Sequence, residues 1–158
     1  MTGIVGMSAV GMAAALRARQ ISAVEAVEAV LTRIEEGSRL NAFITVCAER
    51  ALYEAEAADK KRAAGASTGP LDGLPFTVKD LTNTAEVRTT YGSALFSDAV
   101  PTEDAVAVAR ARAAGAILVG KTTTPEFGHK PFTDGPFFGR TLNPWDENVT
   151  CGGSSGGA

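Results

Sequence analysis

Val24, Val27, Leu31 and Ile34 recur at steps of three and four residues, the spacing that puts apolar side chains on one face of a helix. Ser22 and Glu25 stand just ahead of them as a capping box, in which hydroxyl and carboxylate each satisfy an orphan backbone N–H. Gly37 is the natural stop of this helix. A shorter helix is predicted from a cap at Ser8 through Met12 and Leu16. A longer one is predicted from about Ala48 to Ala64, supported by Glu56 and Lys60 four residues apart and ended by Gly65. Residues 64 to 70, Ala-Gly-Ala-Ser-Thr-Gly-Pro, read as loop.

Beyond residue 70 the pattern changes to short apolar runs separated by Gly, Pro and Thr. Leu74 to Val78 predicts a strand, with Pro75 near its start where a missing N–H is tolerated, and Lys79 and Asp80 follow at its C-terminal end. Thr102, with Glu103 and Asp104 in the first turn, predicts a helix running over Val106, Ala109 and Ala113 to Gly115. Ala116 to Val119 is the next expected strand. After Lys121 the prolines at 125, 131, 136 and 144 predict a long stretch with little regular structure, carrying Phe127, Phe132, Phe137, Phe138 and Trp145. So long an irregular stretch in a compact domain is usually functional. Residues 1–69 are therefore expected to be mainly helical and 70–158 to begin an α/β core.

Composition supports a globular chain, with 45% hydrophobic and 21% charged residues in 158. The formal net charge is −3 and the basic residues are spread along the chain, so no cationic footprint for nucleic acid or an anionic membrane is expected. Cys47 and Cys151 stand far apart with no C-x-x-C spacing, which offers neither a zinc ligand set nor a disulfide framework and fits a reducing compartment. The N-terminus lacks the early basic cluster and apolar length of a signal segment, and a cytoplasmic location is expected.

Several candidate chemistries compete. Gly115 to Thr122 matches the letters G-x-x-x-x-G-K-T of a phosphate-binding loop, but there the strand must precede the first Gly and a helix must start at Lys-Thr. Here the intervening residues are themselves the strand and Pro125 follows, so a nucleotide-binding domain is the weaker alternative. His129 is the only histidine, which excludes a site of several histidines, and a lone loop histidine is more often a surface group than a catalyst. Cys151 offers a thiol nucleophile in a Gly-rich loop but has no evident basic partner. The final Gly152-Gly153-Ser154-Ser155-Gly156-Gly157 has the composition of a flexible linker; the functional reading is that its glycines turn tightly and present N–H groups and hydroxyls to a reacting centre. A serine activated without histidine needs another base. A lysine serves only when neutral, a form favoured by burial or neighbouring positive potential. Lys79 and Lys121, each after an apolar strand, are the candidates.

Taken together, five ordered blocks resemble the amidase signature family of Ser-cisSer-Lys hydrolases. They are Gly69 to Asp80, Thr89 to Ser93, Gly120 to Gly128, Phe138 to Trp145, and Gly152 to Gly157. Their order and register outweigh the linker reading. The resemblance implies an α/β fold with a helical N-terminal region leading into the first strands of a large mixed sheet flanked by helices, residues 1–158 being the N-terminal part of a single amidase domain. It implies that Lys79 is the base and Ser154 the bridging serine, that Ser155, Gly152 and Gly153 support the turn, and that Gly128 lines the substrate cleft. Lys121 and His129 stay structural. The resemblance implies no metal or organic cofactor and a substrate among small amides, lactams, aryl amides or transfer-RNA-bound glutamate. The negative charge makes the last less attractive, and a small-molecule amide with no nucleic-acid or membrane partner is expected. In the family the acylated serine lies roughly two dozen residues beyond the bridging serine. This chain ends at Ala158, so residues 1–158 are expected to lack the nucleophile and to be inactive alone; the alternative is a non-catalytic binding protein.

Overall fold

The computed structural model describes residues 3–66, 69–153 and 156–157. Its main elements are α1 (Ala9–Arg17), α2 (Ala23–Glu36), β1 (Phe43–Val46), α3 (Ala48–Ala63), β2 (Pro75–Lys79), α4 (Val106–Ala113) and β3 (Ile117–Thr122), followed by short strands β4 (Asp134–Gly135), β5 (Gly139–Arg140), β6 (Leu142–Asn143) and β7 (Asp146–Thr150). Among the described residues these strands form a three-stranded sheet in the order β1-β3-β2 and two hairpins, β4–β5 and β6–β7. The architecture is mixed α/β, as expected from the sequence.

The chain forms two compact units, the first made of Met1–Glu35, Cys47–Phe76 and Ala109–Val119. Its helices begin where the local chemistry dictates. Ser8 Oγ accepts from Gly11 N at 3.1 Å, while Ser22 N donates to Glu25 Oε2 at 2.7 Å and Glu25 N to Ser22 Oγ at 3.0 Å, the reciprocal bonds of a capping box. Asp59 adds a cap from α3, accepting from Ala23 N at 2.8 Å and Val24 N at 3.1 Å. The core joins Leu16 of α1, Ala26 and Val27 of α2, and Ala51 and Ala55 of α3 with Leu74 and Ile117. Small side chains at these helical positions let backbones approach closely, and each larger buried apolar side chain contributes roughly 1.5–3 kcal/mol of transfer free energy. Arg62 ties the region before β2 to α3: its guanidinium bonds Asp59 Oδ1 at 2.9 Å and Asp72 Oδ2 at 2.7 Å. Gly115 closes α4 at φ 94°, and a Cβ there would stand 2.7 Å from Asp72 Cα.

The second unit contains Glu36–Val46, Thr77–Val108 and Gly120–Ala158. Here β1 lies antiparallel to β3, pairing Phe43 with Thr122 and Val46 with Gly120. Arg88 clasps β1 from outside, donating to Ile44 O at 2.6 Å and Thr45 Oγ1 at 3.2 Å. Asp80 N donates to Thr122 O at 3.0 Å, so the ends of β2 and β3 lie side by side. The hairpin layer is anchored through Asn41, whose amide donates to Phe138 O at 2.7 Å, and through Thr141, whose hydroxyl donates to Asn41 O at 2.8 Å.

Four expectations about elements need correction. Thr102 does not cap α4, which starts at Val106. Asp104 is drawn instead to Ala85 N at 2.7 Å, a bond between loops that outweighs its place in a first helical turn. Strand β3 continues past Val119 to Thr122, because Lys121 finds buried partners. β1 was not expected, and the stretch after Lys121 holds two hairpins rather than irregular chain alone.

Candidate active site

Lys79 ends β2, and the sheet fixes its backbone at the point where the strand gives way to a turn closed by Thr82 N donating to Lys79 O at 3.0 Å. The side chain is half-buried and runs along Gly156 and Gly157. A Cβ on Gly157, whose φ is 91°, would stand 2.7 Å from Lys79 Cγ and 3.0 Å from Thr122 Oγ1, so only glycine fits. Thr122 Oγ1 donates to Gly157 O at 2.6 Å and holds this turn against the lysine. A Cβ on Gly156 would lie 3.8 Å from Lys79 Nζ, 3.1 Å from Thr133 Oγ1 and 3.3 Å from Pro125 Cδ.

The other end of the glycine-rich segment is also fixed. Gly152 forms an antiparallel bridge with Phe132, and a Cβ on Gly153 would stand 2.2 Å from Pro131 O. Ser154 and Ser155, the expected bridging serine and turn support, lie outside the described residues. Gly128 has φ 69° in a turn over Glu126–Gly128, and a Cβ there would meet Leu81 Cδ1 at 2.7 Å. That turn is bound to the loop at Tyr91: Phe127 N donates to Tyr91 O at 2.8 Å. The structure thus brings Gly156 and Gly157 to Lys79, packs Gly152 and Gly153 on residues 131–132, and sets Gly128 on Leu81, two residues beyond the lysine.

Beneath Lys79 lies a buried polar group that sequence reasoning missed. Lys121 and Asp80 have side chains with no exposed surface, Nζ standing 3.3 Å from Oδ1. Lys121 Nζ also donates to Thr89 Oγ1 at 2.7 Å and Thr82 O at 2.9 Å. The second Asp80 oxygen accepts from Thr90 N at 2.9 Å and Thr90 Oγ1 at 2.5 Å. A buried ion pair is tolerable when most of its donors and acceptors are matched, and here Asp80 Oδ1 relies on the ion pair with Lys121, with no hydrogen bond among the described residues. The geometry also closes the nucleotide alternative, because Lys121 lies inside a strand and spends its ammonium on Asp80, Thr82 and Thr89. The available signal was two apolar strands that end in Lys-Thr and Lys-Asp; that those ends are neighbours was not readable. His129 stands on the carbonyl of Glu126, and neither Cys47 nor Cys151 is in a disulfide. Among the described residues no group of three or more His, Cys, Asp or Glu side chains is placed to hold a metal ion. No helix among them is long and apolar enough to cross a membrane.

A lysine at a strand end thus lies against Gly156 and Gly157 of a glycine-rich segment, and comparison with known proteins gives the family of the chain. The amidase family model matches residues 25–158. The chain is 47% identical over 152 residues to the indoleacetamide hydrolase of Bradyrhizobium diazoefficiens, spanning 96% of this chain and 29% of that protein. It is 44% identical over 144 residues to one component of the glutamyl-tRNA(Gln) amidotransferase of a Geobacter species (strain M21), spanning 90% of this chain and 30% of the relative. The structure of a bacterial aryl acylamidase of the amidase signature family superposes with a TM-score of 0.90 at 30% identity, covering 96% of this chain and 32% of that one. This chain belongs to the amidase signature family. It spans less than a third of the length of these curated relatives.

Proposed function

We propose that the protein carrying these residues hydrolyses a carboxamide C–N bond through a Ser-cisSer-Lys triad, with Lys79 as base and Ser154 as the bridging serine. The observation that carries this reading is the position of Lys79, whose amine lies 3.8 Å from the Cβ point of Gly156 in the segment that contains Ser154. Neutral Lys79 accepts a proton relayed through Ser154 from the nucleophilic serine. That serine attacks the carbonyl carbon, and the C–N bond breaks as the lysine returns the proton through the same relay to the departing nitrogen. Water then cleaves the acyl-enzyme by the reverse relay. Ser155, Gly152 and Gly153 support the turn, and Gly128 borders the substrate cleft.

No serine follows Ser155 in the 158 residues, so on this reading they do not themselves supply the acylated serine and have no turnover alone. The substrate is a small-molecule amide, in keeping with the hydrolase relative and with a net charge of −3 that does not favour a nucleic-acid backbone. The test is amine or ammonia release from a panel of carboxamides by the full-length polypeptide. Ser154→Ala is expected to lower kcat at least 100-fold with the unfolding midpoint retained; unchanged turnover removes Ser154 from the mechanism.

A further inference from the structure

Thr133 is 1% exposed, and its hydroxyl has no hydrogen-bond partner among the described residues. Its main chain has no freedom to relieve this. Thr133 O accepts from Thr141 N at 3.0 Å and from Thr150 Oγ1 at 3.3 Å, both within the hairpin layer. Buried hydroxyls without a partner are rare in folded proteins, and a catalytic or binding role is one reason such a group is kept. Its direction is known: Oγ1 lies 3.1 Å from the Cβ point of Gly156, the same point that lies 3.8 Å from Lys79 Nζ. Thr133 Oγ1 and the lysine amine therefore both stand within 4 Å of one point beside Gly156. Valine, nearly the same shape, would fill the Thr133 position without the unpaired oxygen.

Resting on the hydrolase reading above, we propose that Thr133 Oγ1 accepts a hydrogen bond from the N–H of the scissile amide. The departing nitrogen must come within proton reach of Lys79 through its relay, and Thr133 presents the second polar atom at that place. The hydroxyl thereby orients the nitrogen for protonation and favours amides over esters, which carry no hydrogen on the leaving atom.

The experiment compares hydrolysis of an amide and an ester of the same acid by the full-length polypeptide as wild type, Thr133→Val, Thr133→Ser and Lys79→Ala. Thr133→Val is expected to lower kcat/KM for the amide about tenfold, the scale of one lost hydrogen bond, and to leave the ester within about twofold. Thr133→Ser restores the amide rate, and the unfolding midpoint of Thr133→Val is unchanged or raised because a buried unpaired oxygen has been removed. Equal losses for amide and ester, or a lowered midpoint, mean that Thr133 is structural and overturn the proposal. So does an unchanged amide rate. If Lys79→Ala retains turnover of both substrates, the hydrolase mechanism itself fails and this inference falls with it; if Lys79→Ala is inactive, the Thr133 result stands on its own.

Discussion

Replacing Lys121 by methionine keeps most of the side-chain volume in β3 and removes only the ammonium. Asp80 then remains with no exposed surface, its second oxygen still held by the two Thr90 donors and its first deprived of Lys121. Thr82 O and Thr89 Oγ1 lose the same donor. Breaking one side of a fully buried pair costs about 3–5 kcal/mol, whereas an exposed pair contributes roughly 0–1 kcal/mol. Asp80→Asn is the complementary change and leaves an ammonium with its Thr82 and Thr89 acceptors. The double variant carries no buried charge, so its loss should fall short of the sum of the single losses by more than about 1 kcal/mol. Urea unfolding of the full-length polypeptide measures all three. Single losses below about 1 kcal/mol each, adding to within about 0.5 kcal/mol, would refute the assignment of a dry, coupled pair.

Other outcomes follow from single contacts. Asp59→Ala removes the acceptors of Ala23 N and Val24 N at the start of α2 and one partner of Arg62, and should cost about 2 kcal/mol in the same unfolding assay. Leu16→Ala, at a side chain 1% exposed in the helical core, should cost about 2–5 kcal/mol. Gly157→Ala brings a methyl to within 2.7 Å of Lys79 Cγ at a positive φ, so amide turnover should fall about 100-fold, as for a displaced reacting group, far more than stability suffers.

What was legible in the sequence was local. The Ser22–Glu25 box, the Ser8 cap and the three- and four-residue recurrence in α2 act within one or two turns, and the structure reproduces them. β1 escaped because its partners lie in β3, some eighty residues away, and four residues at the head of α3 carry no period of their own. Thr102-Glu103-Asp104 has the chemistry of a helix start, but Asp104 meets Ala85 N first, a contact no local pattern announces. The candidate site divides in the same way. Lys79 and the glycine-rich segment were readable as ordered blocks. The burial of Lys121 depends on Asp80, Thr82 and Thr89, and the isolation of Thr133 Oγ1 depends on a hairpin layer that the prolines concealed.

The most direct measurement is amide hydrolysis by the full-length polypeptide with Lys79 intact and with Lys79→Ala, each checked for the same unfolding midpoint. With Lys79 as the proposed base, the substitution is expected to lower kcat by at least 100-fold, since the serine and the departing nitrogen would lose their proton carrier. Turnover within tenfold of the unaltered enzyme, at an unchanged midpoint, would contradict it.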